Sequence, residues 1–184
     1  MIIKIDDNIK LEMTSIKHSA LLFEAIDKNR THLSEFLPWV KNMQTINDFD
    51  RYIQNCELLY GEKKEVSFVI ILNNKTVGRI GLHHLNLQNK IAAVGYWLTK
   101  EAQGKGIIYQ SCRKLIDYGF NELGLNRIEI KCASENYKSQ AIPEKFNFQK
   151  EGIMRQAEFV NETFLDLILY SILKNEWNEK TTKR

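Results

Sequence analysis

The period of the apolar positions changes several times along the chain. Ile3 and Ile5, then Ile9 and Leu11, alternate with polar residues about Asp7-Asn8, which predicts a hairpin. Leu21, Leu22, Ala25 and Ile26 recur at helical spacing and predict a helix over 16–30. Phe49, Tyr52, Ile53, Cys56 and Leu59/Tyr60 share one face of a second helix over 46–63. A polar and then aromatic connector, HLSEFLPWV, lies between them. The period then becomes that of strands: 66–72, a turn at Asn73-Asn74, 76–82 and 91–98. From Gly106 it is helical again, with Cys112, Leu115, Ile116, Gly119/Phe120 and Leu123 on one face and Gly124 as the stop. A strand over 127–133, a short helix over 136–146 and two strands, 148–159 and 163–173, complete the pattern, with Asn161 near the last turn. One helical crossover joins two strands in the middle. The order predicts α+β or α/β architecture with one mixed sheet.

The length of 184 residues suits a single domain over 1–184. A core of that size hides about 70% of the chain's surface without a covalent staple. Hydrophobic residues make up 43% and charged residues 27%, ordinary values for a globular protein. Net charge is +3, from 26 basic and 23 acidic residues. That balance argues against a nucleic-acid partner and leaves room for a local basic site for a polyanionic small molecule. The three cysteines form no CxxC and no zinc-like spacing with histidine, so no metal is expected. An odd count without a framework fits reduced thiols in a cytoplasmic protein, and Cys112 and Cys132 fall at apolar positions of the expected core. The start, MIIKIDDNIKLEM, lacks the apolar stretch of a signal peptide, and no apolar run is long enough to cross a membrane. The polar tail, KTTKR, is expected to fray.

Gly104-Lys105-Gly106 stands where a strand gives way to a helix, in a chain with only nine glycines. The free N–H groups at a helix start carry partial positive charge and bind anions. Glycine lets phosphate oxygens reach the backbone, and Lys105 adds charge. Gln103 to Gly106 therefore reads either as a phosphate cradle or as a glycine-relieved turn. A Walker A loop is absent. A dinucleotide fingerprint fails at its third glycine, where Tyr109 stands, and the chain lacks repeated βαβ units. A third option is the pyrophosphate of coenzyme A.

Three stretches carry a resemblance: GYWLTKEAQGKGI, then YGFNELGLNRIEIKCASENYKSQAIPEKFNFQKEGIMRQAEF, then DLILYSILKNEW. Together they resemble the GNAT N-acetyltransferase superfamily, and within it the RimJ/RimL-type ribosomal-protein N-terminal acetyltransferases. The similarity covers nearly the whole chain and is densest from Val94 to Trp177. It implies an α+β fold with a mixed, mostly antiparallel central sheet flanked by helices on both sides. The family pattern Q/R-x-x-G-x-G/A reads here Gln103-x-x-Gly106-x-Ile108. Ile108 departs from the small last residue, which narrows the space without removing a backbone N–H. Asn147 stands where the family has glycine, and asparagine is the next best residue for a left-handed cap.

The resemblance implies an acetyl-CoA-dependent enzyme without a metal. In such a protein the strand Gly95–Leu98 splays from its neighbour and pairs with the pantetheine arm, with Trp97 and Leu98 nearest. The amides of Gly104, Lys105, Gly106, Ile107 and Ile108, beside Gln103, hold the pyrophosphate. Asn136 contacts the arm or simply caps its helix. Ser139 assists the leaving thiolate or bonds the first turn. Glu158 serves as base or is a solvated carboxylate. His83 and His84 compete for that role, but adjacent strand residues point to opposite faces, so at most one faces the cleft. The helical pair before residue 64 forms the acceptor groove, with Trp39 as an aromatic wall; Phe36, Leu37 and Trp39 read equally as core. The expected acceptor is a protein N-terminus, possibly ribosomal, with a polyamine or an antibiotic amine as the alternative and a non-catalytic CoA-binding module as a third reading. A homodimer is possible, with Ile168 and Tyr170 serving an interface or the core.

Overall fold

The computed structural model describes residues 1–182, with side chains described as far as Asn178. Strands β1 (Ile2–Lys4) and β2 (Ile9–Met13) form the predicted hairpin. Asp6 Oδ1 closes its turn by accepting from the N–H groups of Asn8 and Ile9 at 2.8 and 2.7 Å. The helix expected over 16–30 is divided: a 3-10 turn at Ile16–His18 precedes α1 (Ser19–Asp27), and α2 (Arg30–Leu33) follows separately. Asn29 makes the break, since its side chain donates back to the Ala25 carbonyl at 2.9 Å and its φ of -122° is not helical. Helix α3 (Ile46–Gly61) starts at a reciprocal cap, with Thr45 and Asp48 each bonding the other's backbone N–H. Strands β3 (Val66–Leu72), β4 (Lys75–Asn86) and β5 (Ile91–Leu98) follow. Then come α4 (Ile107–Asn121), β6 (Arg127–Ala133), α5 (Tyr137–Lys145), β7 (Gln149–Val160) and β8 (Thr163–Leu173).

A last helix, α6 (Lys174–Thr182), has no counterpart in the apolar pattern. Among its described side chains, up to Asn178, the buried one is Trp177, whose indole N–H donates to Asp117 on α4 at 2.7 Å. A single buried side chain leaves no period to read. The fraying expected of the tail concerns residues whose side chains, from 179 on, lie outside the described residues.

The eight strands form one sheet in the order β1-β2-β3-β4-β5-β6-β8-β7. Every neighbouring pair is antiparallel except β5 and β6, which the α4 crossover makes parallel. The mixed, mostly antiparallel sheet is the expected one. Helices cover both faces. On one face Leu22, Ile26, Phe49 and Ile53 from α1 and α3 pack with Val69, Ile71 and Trp97 of the sheet. On the other, Ile107, Cys112, Leu115, Ile116 and Phe120 of α4 pack with Phe68, Ile80, Leu82, Val94 and Ile130. Ile168 and Tyr170 belong to this second core, 6% and 2% exposed, so they serve the single chain's packing. Cys112 and Cys132 are buried as expected, and Cys56 with them.

Strands β4 and β5 approach each other closely at Gly78. A methyl group there would lie 2.2 Å from the Trp97 carbonyl oxygen and 3.1 Å from the Leu98 Cα. Backbone atoms cannot turn aside as a side-chain tip can. Gly78→Ala should therefore cost about 3 kcal/mol and lower the melting temperature by roughly 6–12 °C. Gly152→Ala, where a methyl meets nothing within 4 Å, should stay within about 0.5 kcal/mol of the parent. Calorimetry on the two variants checks this, and equal melting temperatures would contradict it.

Candidate active site

The parallel pairing of β5 with β6 is short. Ile91 to Val94 pair with Arg127 to Ile130, and there the register ends, although β5 runs on to Leu98 and β6 to Ala133. From Gly95 the two strands part. On its other side β5 stays tied to β4 through Leu98. The β6-facing edge of Gly95–Leu98 thus presents backbone groups to a cleft. The side chains of Trp97 and Leu98 are buried, 8% and 7% exposed, so their contribution to the cleft is their backbone.

At the far end of that edge the chain makes a 3-10 turn over Lys100–Ala102 and enters α4 through Gly104 and Gly106, at φ +74° and +71°. Both values lie in the left-handed region open to glycine. A methyl group on either glycine would meet no protein atom within 4 Å. The N-terminus of α4 therefore has an unobstructed backbone surface, as an anion cradle requires. Ile107 is buried in the core and Ile108 half-buried against it, so the departure at Ile108 is taken up by packing. Gln103 is held from both sides: its amide meets His32 Nε2 at 2.7 Å, and its carbonyl accepts from Lys138 Nζ at 3.1 Å. Lys105 is exposed. Asn147, at φ +53°, adopts the left-handed conformation expected of it.

Ser139 and Asn136 come together at the start of α5. The Asn136 carbonyl oxygen accepts from the Ser139 N–H at 3.0 Å, which caps the helix. The Ser139 hydroxyl lies 3.1 Å from the phenol oxygen of Tyr96, and Cys132 Sγ donates to it at 3.4 Å. Tyr96 sits on the free stretch of β5 and Cys132 on that of β6, so Ser139 stands over the gap between them. Burial pushes the Cys132 thiol up to about 11 and the Tyr96 phenol well above its ordinary value, so both are neutral donors at neutral pH.

Glu158 stands apart from this group, on the β7–β8 hairpin. Among the described residues it makes no hydrogen bond to Ser139 or Asn136. An irregularity in β7 between Met154 and Glu158 precedes it, and Asn161 at the hairpin tip donates to the Ser34 carbonyl at 2.9 Å. The hairpin is thereby tied to the connector that precedes α3. Burial raises the Glu158 carboxyl above its ordinary value. In the connector, Leu37 and Trp39 pack on the core under α1 and α3, and Trp39 stacks on Tyr52 at 6.2 Å, 8° from parallel.

His83 and His84 part as the strand alternation requires. His84 is exposed at φ +52°, where the β4–β5 register breaks. His83 Nδ1 lies 3.0 Å from Glu65 Oε2. Glu65 is also paired through Oε1 with the buried Arg79, at 2.6 Å. The Arg79 guanidinium reaches Ser67 Oγ at 2.6 Å, Cys56 Sγ at 3.1 Å and the Tyr52 hydroxyl. Sequence reasoning passed over this cluster, although an arginine inside the apolar run TVGRIGL was its signal. It passed over Tyr96 too, whose apolar alternation gave no hint of a polar partner. Among the described residues no group of three or more His, Cys, Asp or Glu side chains is gathered as a metal would require.

A model of the acetyltransferase (GNAT) domain matches residues 9–149. The chain belongs to the GNAT acetyltransferase family. It is an acetyl-CoA-dependent N-acetyltransferase. YdaF of Bacillus subtilis (strain 168) is 36% identical over 175 residues, 95% of this chain and 96% of that protein. The ribosomal-protein-serine acetyltransferase of Escherichia coli (strain K12) is 31% identical over 169 residues, 92% and 94% of the two chains. The solved structure of RimL, a ribosomal L7/L12 α-N-protein acetyltransferase in complex with coenzyme A, superimposes with a TM-score of 0.91 at 27% identity, covering 94% of this chain and 98% of that one. These likenesses support the GNAT fold and set aside the non-catalytic reading.

The electrostatics of Glu65 have a measurable consequence. Burial alone would raise its carboxyl. The hydrogen bond from His83 and the charges of His83 and Arg79 outweigh that and hold it at about 2, against an ordinary 4.5. A depressed carboxylate contributes stability that is complete above about 4.5 and is lost as pH falls toward 2. The shift corresponds to roughly 3 kcal/mol. Glu65→Gln should lose about that much at pH 7, and its stability should fall less steeply between pH 4.5 and 3 than the parent's. Urea unfolding at both ends of that range tests it, and identical acid slopes would contradict it.

Proposed function

We propose that the acceptor is the N-terminal α-amine of a protein, a ribosomal protein among the candidates, and that the enzyme acts in the cytoplasm. The observation that carries the reading is the parting of β5 from β6 beyond Val94 and Ile130. In this reading the pantetheine arm of acetyl-CoA lies along Gly95–Leu98, and the amides of Gly104–Ile108, with Gln103 and Lys105, take the pyrophosphate. Asn136 caps α5 and turns its amide group toward the arm. The relatives support the choice of acceptor, since one is named a ribosomal-protein-serine acetyltransferase and another an L7/L12 α-N-protein acetyltransferase.

The chemistry agrees with that choice. The amine must be neutral before it attacks the thioester carbonyl. A peptide α-amine, with a reference pKa of about 7.7–8.0, reaches that state at a cost of about 1 kcal/mol at pH 7. A lysine or polyamine nitrogen near 10.4 costs about 4–5 kcal/mol. Glu158, half-buried and with its carboxyl raised, takes the proton of the entering ammonium more readily than an ordinary carboxylate. Ser139, between Tyr96 and Cys132, protonates the departing thiolate. The Trp39 ring and the connector tied to the Glu158 hairpin form the wall along which an extended N-terminus enters.

A panel of acceptors tests this reading. Serine- and alanine-initiated peptides should be acetylated faster than polyamines or aminoglycosides. Glu158→Gln should lower kcat by about 10²–10⁴-fold while acetyl-CoA affinity holds. Ser139→Ala should lose less, because water partly replaces a hydroxyl. A polyamine acetylated far faster than any peptide would overturn the acceptor, and full turnover by Glu158→Gln would overturn the base.

A further inference from the structure

Side chains alternate along β5, so Gly95 and Tyr96 address opposite faces of the sheet. Tyr96 faces α5, where its phenol meets Ser139. Gly95 faces the side covered by α1 and α3, and His83 lies over it there. A methyl group on Gly95 would sit 3.1 Å from His83 Cδ2 and 3.2 Å from Nε2. Only a residue without a Cβ lets the imidazole edge come so near this backbone. Gly95 is also the first residue of β5 past the last pair with β6, where the cleft begins. The hydroxyl of Ser139 and the imidazole of His83 thus lie on opposite faces of the sheet, beside the adjacent residues Tyr96 and Gly95 of β5, where the cleft begins. A thioester held there would have its leaving sulfur on one side and its attacking amine on the other.

The imidazole is held for such a task. His83 Nδ1 faces Glu65 Oε2 at 3.0 Å, which fixes the ring and leaves Nε2 turned to Gly95. Glu65 is fixed in turn by Arg79 at 2.6 Å. Glu65 and Arg79 are nearly inaccessible, with side chains 11% and 5% exposed, whereas the His83 side chain is 28% exposed and can exchange protons with solvent. A carboxylate that orients an imidazole, with the second ring nitrogen turned to the reacting centre, is an arrangement suited to proton abstraction. We propose that His83 is a second proton acceptor of the acetyl transfer, with Glu65 as its positioning residue. The proposal rests on the cleft assignment made above.

The protons balance. Glu158 removes one proton from the entering ammonium. The amine's lone pair then forms the C–N bond, and the N–H proton of the attacking nitrogen passes to His83 Nε2. The C–S bond breaks with its electron pair on sulfur, and the thiolate takes the Ser139 hydroxyl proton, which solvent restores. Glu158 and His83 return theirs to solvent. One proton is released per acetyl group transferred.

The test uses the full chain, acetyl-CoA and a serine-initiated peptide. His83→Ala removes the imidazole beside a glycine and so leaves a space for a free one. Its kcat should fall by about 10²-fold or more, while acetyl-CoA affinity and the peptide KM stay within about threefold. Added imidazole should restore turnover in a saturable way, and restore it to Glu158→Gln not at all. Glu65→Gln, whose ring support is weakened, should fall less than His83→Ala. Unchanged kcat in His83→Ala would overturn the proposal, as would a loss that imidazole does not rescue in a variant that melts like the parent. Loss in Glu158→Gln alone, with His83→Ala fully active, would leave the cleft assignment standing and remove His83. A parent enzyme that acetylates no amine would instead remove the cleft assignment itself.

Discussion

The site depends on a failure of pairing. Two parallel strands run together for four residues and then separate, and the backbone groups left over on β5 would be costly if buried without partners. Their counterpart on the β4 side is secured by a continuous antiparallel ladder through Leu98. The strand cannot close the gap by moving toward β6 without giving up that ladder. Gly78 tightens the constraint, because β4 and β5 meet there at a distance that admits no side chain. The cleft is therefore a fixed property of the sheet, and a bound extended group can complete the hydrogen bonding that β6 leaves unmade.

The remaining chemistry is hung on this gap. The left-handed glycines at its wide end lead into α4 and expose that helix's first amides. Ser139 sits across Tyr96 and Cys132 on one face, and the Glu65–His83 pair lies over Gly95 on the other. Arg79 joins this second group to the aromatic residues packed under α3. It pairs with Glu65, lies 5.1 Å over the Tyr52 ring, and Tyr52 stacks on Trp39, which in turn meets Trp97 at 6.4 Å. A buried guanidinium is tolerable when its charge is paired, and here Glu65 pairs it while the Tyr52 hydroxyl, Ser67 and Cys56 accept from its two terminal nitrogens; its Nε–H is left without a protein partner. Its position links the packing of α3 to the strand that borders the cleft.

The elements with long, regular periods were legible in the sequence: α3, α4 and the central strands fall within a few residues of the expected ranges. The glycine pair was legible too, because left-handed entry into a helix calls for residues without a Cβ. The break in the first helix was not, since Asn29 acts through a bond to the backbone four residues earlier rather than through hydrophobicity. Nor was α6, where Trp177 is the one buried side chain among those described. At the site, Ser139 and Asn136 were named through the resemblance that the stretch SENYKS helps to carry. The partners of Ser139 come from two other strands, and no local pattern announces contacts across such separations. His83 was a competitor for the role of base on titration range alone. What sets it apart from His84 is the carboxylate behind it, 18 positions earlier in the chain, and the glycine in front of it.

Residue-resolved amide exchange with and without acetyl-CoA tests the central claim most directly. Ile91–Val94 are already paired with β6 and should exchange at the same rate in both states. The amides of Gly95–Leu98 that face the cleft should become markedly more protected when acetyl-CoA binds, and those at the start of α4, Gly106–Ile108, should follow. Unchanged protection across Gly95–Leu98 on a saturated enzyme would contradict the account, for it would mean that the parted strand does not receive the cofactor.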